Sequence, residues 1–94
     1  MEIHHEETET KGRYWINHGV GQPDAELTYS RLGTAAIIID HTSVPDIYRG
    51  QGLGVLLVAR VVEDARTRGL KITQLCPFAA AQLRRHADWH DVLA

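Results

Sequence analysis

Several features that would commit a chain to a special class are scarce or missing here. A single cysteine rules out a disulfide within the chain, so a reducing, cytoplasmic setting is the expectation. No apolar run approaches the length of a membrane span, and no signal-peptide pattern opens the sequence. The formal charge of −2 gives no reason to expect nucleic acid or an anionic membrane as a partner. The only grouping of metal-ligating types is His4-His5-Glu6-Glu7. Adjacent side chains point apart on a strand, so this reads as a solvated strand edge or a frayed terminus, and no metal is expected. Nothing repeats, and no low-complexity stretch marks a linker. The 94 residues therefore read as one domain, near the low end of what buries an adequate core without staples. Its 44% apolar and 23% charged residues are those of an ordinary soluble chain.

What the sequence does have is concentrated in residues 44–54, Val-Pro-Asp-Ile-Tyr-Arg-Gly-Gln-Gly-Leu-Gly. The stretch lies between an apolar β-branched run and a helical pattern that begins near Leu53. Gly50, Gly52 and Gly54 let the backbone reach positive φ and approach a ligand closely. The first N–H groups of a helix have no partner within it, and the helix dipole makes them favour an anion. Arg49 adds a guanidinium suited to bidentate phosphate contact. Spacing excludes two phosphate loops. A Walker A loop ends in Gly-Lys-Ser/Thr, but Val55 follows Gly54 here. The dinucleotide fingerprint would need a third glycine where Val55 stands, in a longer chain. Arg-x-x-Gly-x-Gly remains, met by Arg49, Gly52 and Gly54. A ligand-free glycine turn from strand to helix would use the same residues.

Around the loop the elements fall in the order β-β-β-α-β-α. Arg13-Tyr14-Trp15-Ile16 has strand composition. Ala25, Leu27 and Tyr29 alternate with Glu26, Thr28 and Ser30, which predicts a half-buried strand. Ala35 to Ile39 is apolar on both parities, which predicts a central strand, running to about Ser43, with both faces covered. Leu53, Leu56, Leu57, Val61 and Ala65 recur at helical spacing, Asp64 and Arg68 stand at i, i+4, and Gly69 supplies the stop. Residues 71–75 make a short strand, expected parallel to the central one by the right-handed crossover rule. Pro77 opens a second helix. In the tail, Trp89, Val92 and Leu93 are available to pack back.

Five segments occur in order: His41-Thr42-x-Val44, Arg49-Gly50-Gln51-Gly52-x-Gly54, Ala65-Arg66-x-x-Gly69-x-Lys71-Ile72, Cys76-Pro77-Phe78-Ala79 and Asp91-Val92-Leu93. Together, over roughly residues 40–93, they resemble the small single-domain members (the YjdJ-like group) of the GCN5-related N-acetyltransferase superfamily. Ser43, Gln74 and Trp89 depart from that pattern. The resemblance implies an α/β (α+β) fold, a minimal version of the family's, with a mixed sheet and a splayed parallel strand pair. It implies acetyl-CoA as cosubstrate, with no metal. The pyrophosphate would be held by Arg49, Gly50, Gln51, Gly52, Leu53 and Gly54, and the rest by Val44, Pro77 and Phe78. The chain is much shorter than a full enzyme of the family, so the acceptor side is expected to be open, in a monomer or in a site that a partner completes.

Two residues carry the candidate chemistry. Cys76 directly precedes Pro77 and a helix, whose N-terminus lowers a thiol pKa. It reads either as a nucleophile that takes the acetyl group from the thioester or as a small buried hydrophobe. His41 ends the central strand and reads either as a general base or as a strand-end histidine bonded to backbone. Two functions stay open: transfer of acetyl to an unknown amine, small or protein-borne, and non-catalytic acyl-CoA binding or regulation.

Overall fold

The computed structural model describes residues 2–17 and 19–93; Met1, His18 and Ala94 lie outside them. Five strands form one sheet: β1 His4–Glu7, β2 Lys11–Ile16, β3 Ala25–Leu32, β4 Ala36–Ser43 and β5 Lys71–Gln74. Helix α1, Leu53–Arg68, joins β4 to β5, and α2, Pro77–Arg85, comes after β5. Short 3₁₀ turns cover Asp46–Tyr48 and Ala87–Val92. Spatial order matches chain order, β1-β2-β3-β4-β5, and only β4 and β5 run parallel. The α/β class and the mixed sheet agree with the expectation. The order has one strand more, because the acidic N-terminal segment pairs with β2.

Register assigns the faces, since residues directly opposite one another share a side of the sheet. Tyr14, Leu27 and Thr42 are aligned, as are Gly12, Tyr29 and Ile39. These lie on the face that α1 covers with Leu53, Leu57, Val58, Val61, Val62 and Ala65, all buried. Each of the leucine and valine side chains taken from water stabilises by about 1.5–3 kcal/mol. Leu56 falls off this stripe and is exposed. β4 is central, but only one of its faces is buried: Ile37 and Ile39 are covered, while Ile38 is half-buried on a face that carries no helix. Apolar residues on both parities thus overstated the covering. In the tail, Val92 is buried, Trp89 and Leu93 pack against the core, and Leu93 bridges to Ile72.

Two irregularities shape the middle of the sheet. Tyr29 pairs with Ile39 but Thr28 pairs with His41, so Asp40 is an extra residue on β4, a β-bulge. The bulge exchanges the faces of the residues after it: Thr42 turns to the helix side and His41 to the open side. At the same point β5 leaves β4. Their ladder runs from Ala36 opposite Lys71 to Ile39 opposite Gln74, and the Leu75 N–H donates to the Ile39 carbonyl at 3.0 Å. β4 then continues to Ser43, while the other chain segment turns into α2. The parallel pair is therefore splayed, with a gap between residues 40–43 and the start of α2.

Candidate functional site

The loop after β4 is pinned from below and open above. Tyr48 is buried and donates its hydroxyl to the Pro23 carbonyl at 3.1 Å, tying the loop to the β2–β3 connection. Gly50 and Gly52 have φ of +87° and +72°. A Cβ at either would meet nothing within 4 Å, so glycine is required there by backbone conformation and not by crowding. Gly54 is the reverse case: a Cβ there would come within 2.6 Å of the Phe78 ring. The first bond of α1 runs from the Leu56 N–H to the Gly52 carbonyl at 3.1 Å, so the N–H groups of Leu53, Gly54 and Val55 precede the helical ladder. They border a cavity of about 260 Å³, lined also by Val44, Arg49, Gly50, Gly52 and Phe78.

Seven of the nine residues expected at the binding site, Val44, Arg49, Gly50, Gly52, Leu53, Gly54 and Phe78, are thus gathered at one cavity. Gln51 is not among them; it is exposed and its N–H is used by the Tyr48 carbonyl at 3.3 Å. Pro77 is not either, and serves instead as the first residue of α2. Arg49 is 80% exposed at its side chain and pairs with Asp46 at 2.8 Å. Asp46 flanks the cleft with no clear role in the sequence, and its place three residues before Arg49 permits the pair.

The two candidate catalytic residues lie on opposite faces of the splay. Cys76 is the N-cap of α2, buried on the helix side, with Thr42 beside it. Burial opposes ionisation of the thiol. The Ala79 N–H, the Thr42 hydroxyl and the Phe78 N–H together outweigh it, and the thiol pKa lies below its ordinary value. The Thr42 hydroxyl oxygen is buried and engages no group other than Cys76, which leaves it to donate to a thiolate. His41, across the bulge, is exposed on the open face opposite Thr28. The strand does not bring His41 and Cys76 to the same side; the gap between β4 and α2 is what they share. No group of three or more metal-ligating side chains exists among the described residues.

The five-stranded mixed sheet thus splays beside a glycine loop at a helix N-terminus. The chain matches the family described as GCN5-related N-acetyl-transferase over residues 13–92, and it belongs to that family. Among solved structures it is similar to the NMR solution structure of a candidate GCN5-like N-acetyltransferase from Staphylococcus aureus. The two share 38% identity over 99% of this chain and 87% of the other, with a TM-score of 0.75. A search of curated proteins finds no match.

Proposed function

We propose that this domain transfers acetyl from acetyl-CoA to an amine, and that residues 49–54 hold the pyrophosphate. The observation that carries the reading is the α1 N-terminus. Three N–H groups ahead of the helical ladder, two left-handed glycines and one exposed guanidinium surround a cavity that continues past Val44 and Phe78. That set suits a bulky dianion with an arm running along the free edge of β4. Acetyl-CoA supplies an acetyl thioester. The chain supplies an anchor, an edge of unpaired backbone at the splay, and two groups able to handle protons or acyl.

In direct transfer, the amine nitrogen bonds to the acetyl carbonyl carbon and the C–S bond breaks. CoA leaves as the thiolate and recovers the proton that the amine sheds, with His41 as carrier on the open face. In the relayed form, the Cys76 thiolate first displaces CoA, and the amine then displaces Cys76 from its acetyl thioester. Thr42, Phe78 and Ala79 support the thiolate in both of its appearances. We further propose that the domain works in a reducing cytoplasm, where Cys76 stays a thiol, alone or with a partner that completes the acceptor side.

The test is one incubation with two readouts. Acetyl-CoA should raise the melting temperature of the wild type, and Gly52→Asp, which puts a carboxylate into the cradle, should remove the rise. Intact mass after acetyl-CoA should show one hydroxylamine-labile acetyl on Cys76 if the relay operates, and acetylated amine from a panel in either case. A folded Gly52→Asp protein with an undiminished shift would sink the loop assignment. A normal shift with no acetylated amine would leave an acyl-CoA-binding module.

A further inference from the structure

Of the three glycines in the loop, Gly54 is the one whose backbone does not call for glycine. Gly50 and Gly52 have positive φ, but Gly54 lies in the first turn of α1, where alanine would form the better helix. The space a side chain would take is already filled. A Cβ at Gly54 would lie 2.6 Å from Cζ and 2.7 Å from Cε1 of the Phe78 ring. Carbons in contact sit about 3.5–4.0 Å apart, so a methyl group there must push the ring away by roughly 1 Å.

The backbone of Phe78 is in no position to give way. It is the second residue of α2, preceded by Pro77, whose ring fixes φ, and followed by Ala79, which is fully buried. Its N–H bonds to the sulfur of Cys76. The side chain is held less firmly, with 39% of the residue exposed. The ring therefore moves before the helix does. The open space beside it is the cofactor cavity of about 260 Å³, which Gly54, Val55 and Phe78 line together.

We infer that Gly54 is a positioning residue that acts through Phe78: the third glycine of the loop seats this ring and does not serve the phosphate, and the seated ring keeps the cavity open to the cofactor. The inference rests on the transferase reading above and gives the three glycines two separate tasks. Gly50 and Gly52 shape the cradle by conformation, and Gly54 sets its width by what it lacks. The two roles respond differently to an added methyl group. A methyl that met the phosphate would weaken CoA whatever residue stood at 78. A methyl that displaces the ring into the cavity does harm only while the ring is there.

The test is a cycle of four proteins, wild type, Gly54→Ala, Phe78→Leu and the double variant, with CoA binding measured by calorimetry. Gly54→Ala should weaken CoA about tenfold in the wild type but less than about twofold in the Phe78→Leu background, the coupling of a contacting pair. Phe78 is the only phenylalanine of the chain, so ring-labelled phenylalanine reports on it alone. The free wild type should show an NOE from that ring to the α protons of Gly54. A loss that persists in the Phe78→Leu background would make Gly54 a phosphate glycine and overturn the inference. Equal CoA binding by wild type and Gly54→Ala, or no NOE between the ring and Gly54, would overturn it too; in all three cases CoA binding by the wild type keeps the transferase reading standing. Should Gly54→Ala fail to fold, the double variant decides. It should fold and bind CoA as Phe78→Leu does, and its failure to fold would sink the inference. A wild type that binds no CoA brings down the transferase reading, and this inference with it.

Discussion

The two ends of α1 lie about 24 Å apart by helical rise and are finished in opposite ways. At the C-terminal end Asp64, Arg66 and Arg68 are each paired within the chain. Arg68 donates to both oxygens of Glu7 at 3.0 Å, and Glu7 also accepts from Arg31 at 2.6 Å and from the Tyr29 hydroxyl. One turn earlier, Asp64 accepts from the Tyr14 hydroxyl at 2.7 Å and from Arg60 at 3.2 Å. Gly69, at φ +70°, closes the helix with its own N–H on the Arg66 carbonyl at 3.4 Å. At the N-terminal end there is no side-chain cap, the N-cap is a glycine, and the guanidinium is 80% exposed. Polar groups satisfied within the chain fix the position of β1 and β2 on the helix. Those left open are what an anionic ligand can use. Stability and binding should therefore separate by end of the helix.

The largest effect that separation predicts is at Glu7. Its carboxyl is held down to about 2, first by the Arg68 hydrogen bonds and then, against the cost of burial, by Tyr29 and Arg31. A depressed carboxylate contributes stability that is present above its ordinary range near 4.5 and is lost as pH falls toward 2. Glu7→Gln leaves Arg68 and Arg31 without their anion and should cost about 2 kcal/mol at pH 7. Urea melts from pH 7 down to 2 should show the wild type losing that component and the variant lacking it from the start. The acetyl-CoA shift of the variant should stay as large as that of the wild type. A smaller shift would mean that the two ends are coupled.

Next in size is Tyr14→Phe. Burial, and then the Asp64 carboxylate, push this phenol's pKa upward, so it stays protonated and donating across the accessible range. Removing the hydroxyl leaves Asp64 with Arg60 alone and should cost roughly 1.5 kcal/mol. The aromatic stack of His5 on Tyr14, 4.1 Å between centres, survives in phenylalanine, which confines the loss to the hydrogen bond. Equilibrium unfolding measures it, and a variant as stable as wild type would mean that Arg60 alone suffices for Asp64.

The open end was legible in the sequence and the closed end was not, for a physical reason. A loop that depends on glycine and a helix N-terminus is local, so residues 49–54 and α1 could be read from spacing. The same holds for β5, for Pro77 at the start of α2, and for the packing of Val92. Glu7 and Arg68 are 61 positions apart, and nothing near Arg68 signals that its partner is Glu7 and not Asp64. Without that partner, His4-His5-Glu6-Glu7 reads equally as a solvated strand edge or a frayed terminus, and the structure makes it the edge strand. The bulge at Asp40 is hidden for a different reason. A one-residue insertion leaves composition unchanged while exchanging every later side chain between faces. His41 and Cys76 could be named from the sequence, but their placement on opposite sides of the sheet could not.

The smallest expected effect is the sharpest probe of the open end. Asp46 pairs with Arg49 at 2.8 Å, and both side chains are more than three-quarters exposed. An ion pair so exposed contributes little to the fold. It does set a carboxylate beside the place where a phosphate would meet the guanidinium, and a phosphate must displace it. Asp46→Asn should leave the melting temperature of the free protein unchanged and tighten CoA about threefold at low salt, with the gain fading as salt rises. The Arg49→Ala background decides the cause. If Asp46 acts by occupying Arg49, its removal gains nothing once Arg49 is gone, and the double-mutant cycle shows that coupling. If the gain persists there, Asp46 acts by direct repulsion of the phosphate. If CoA affinity is the same in all four proteins, Arg49 does not face the anion, and the backbone N–H groups of the α1 N-terminus hold it alone.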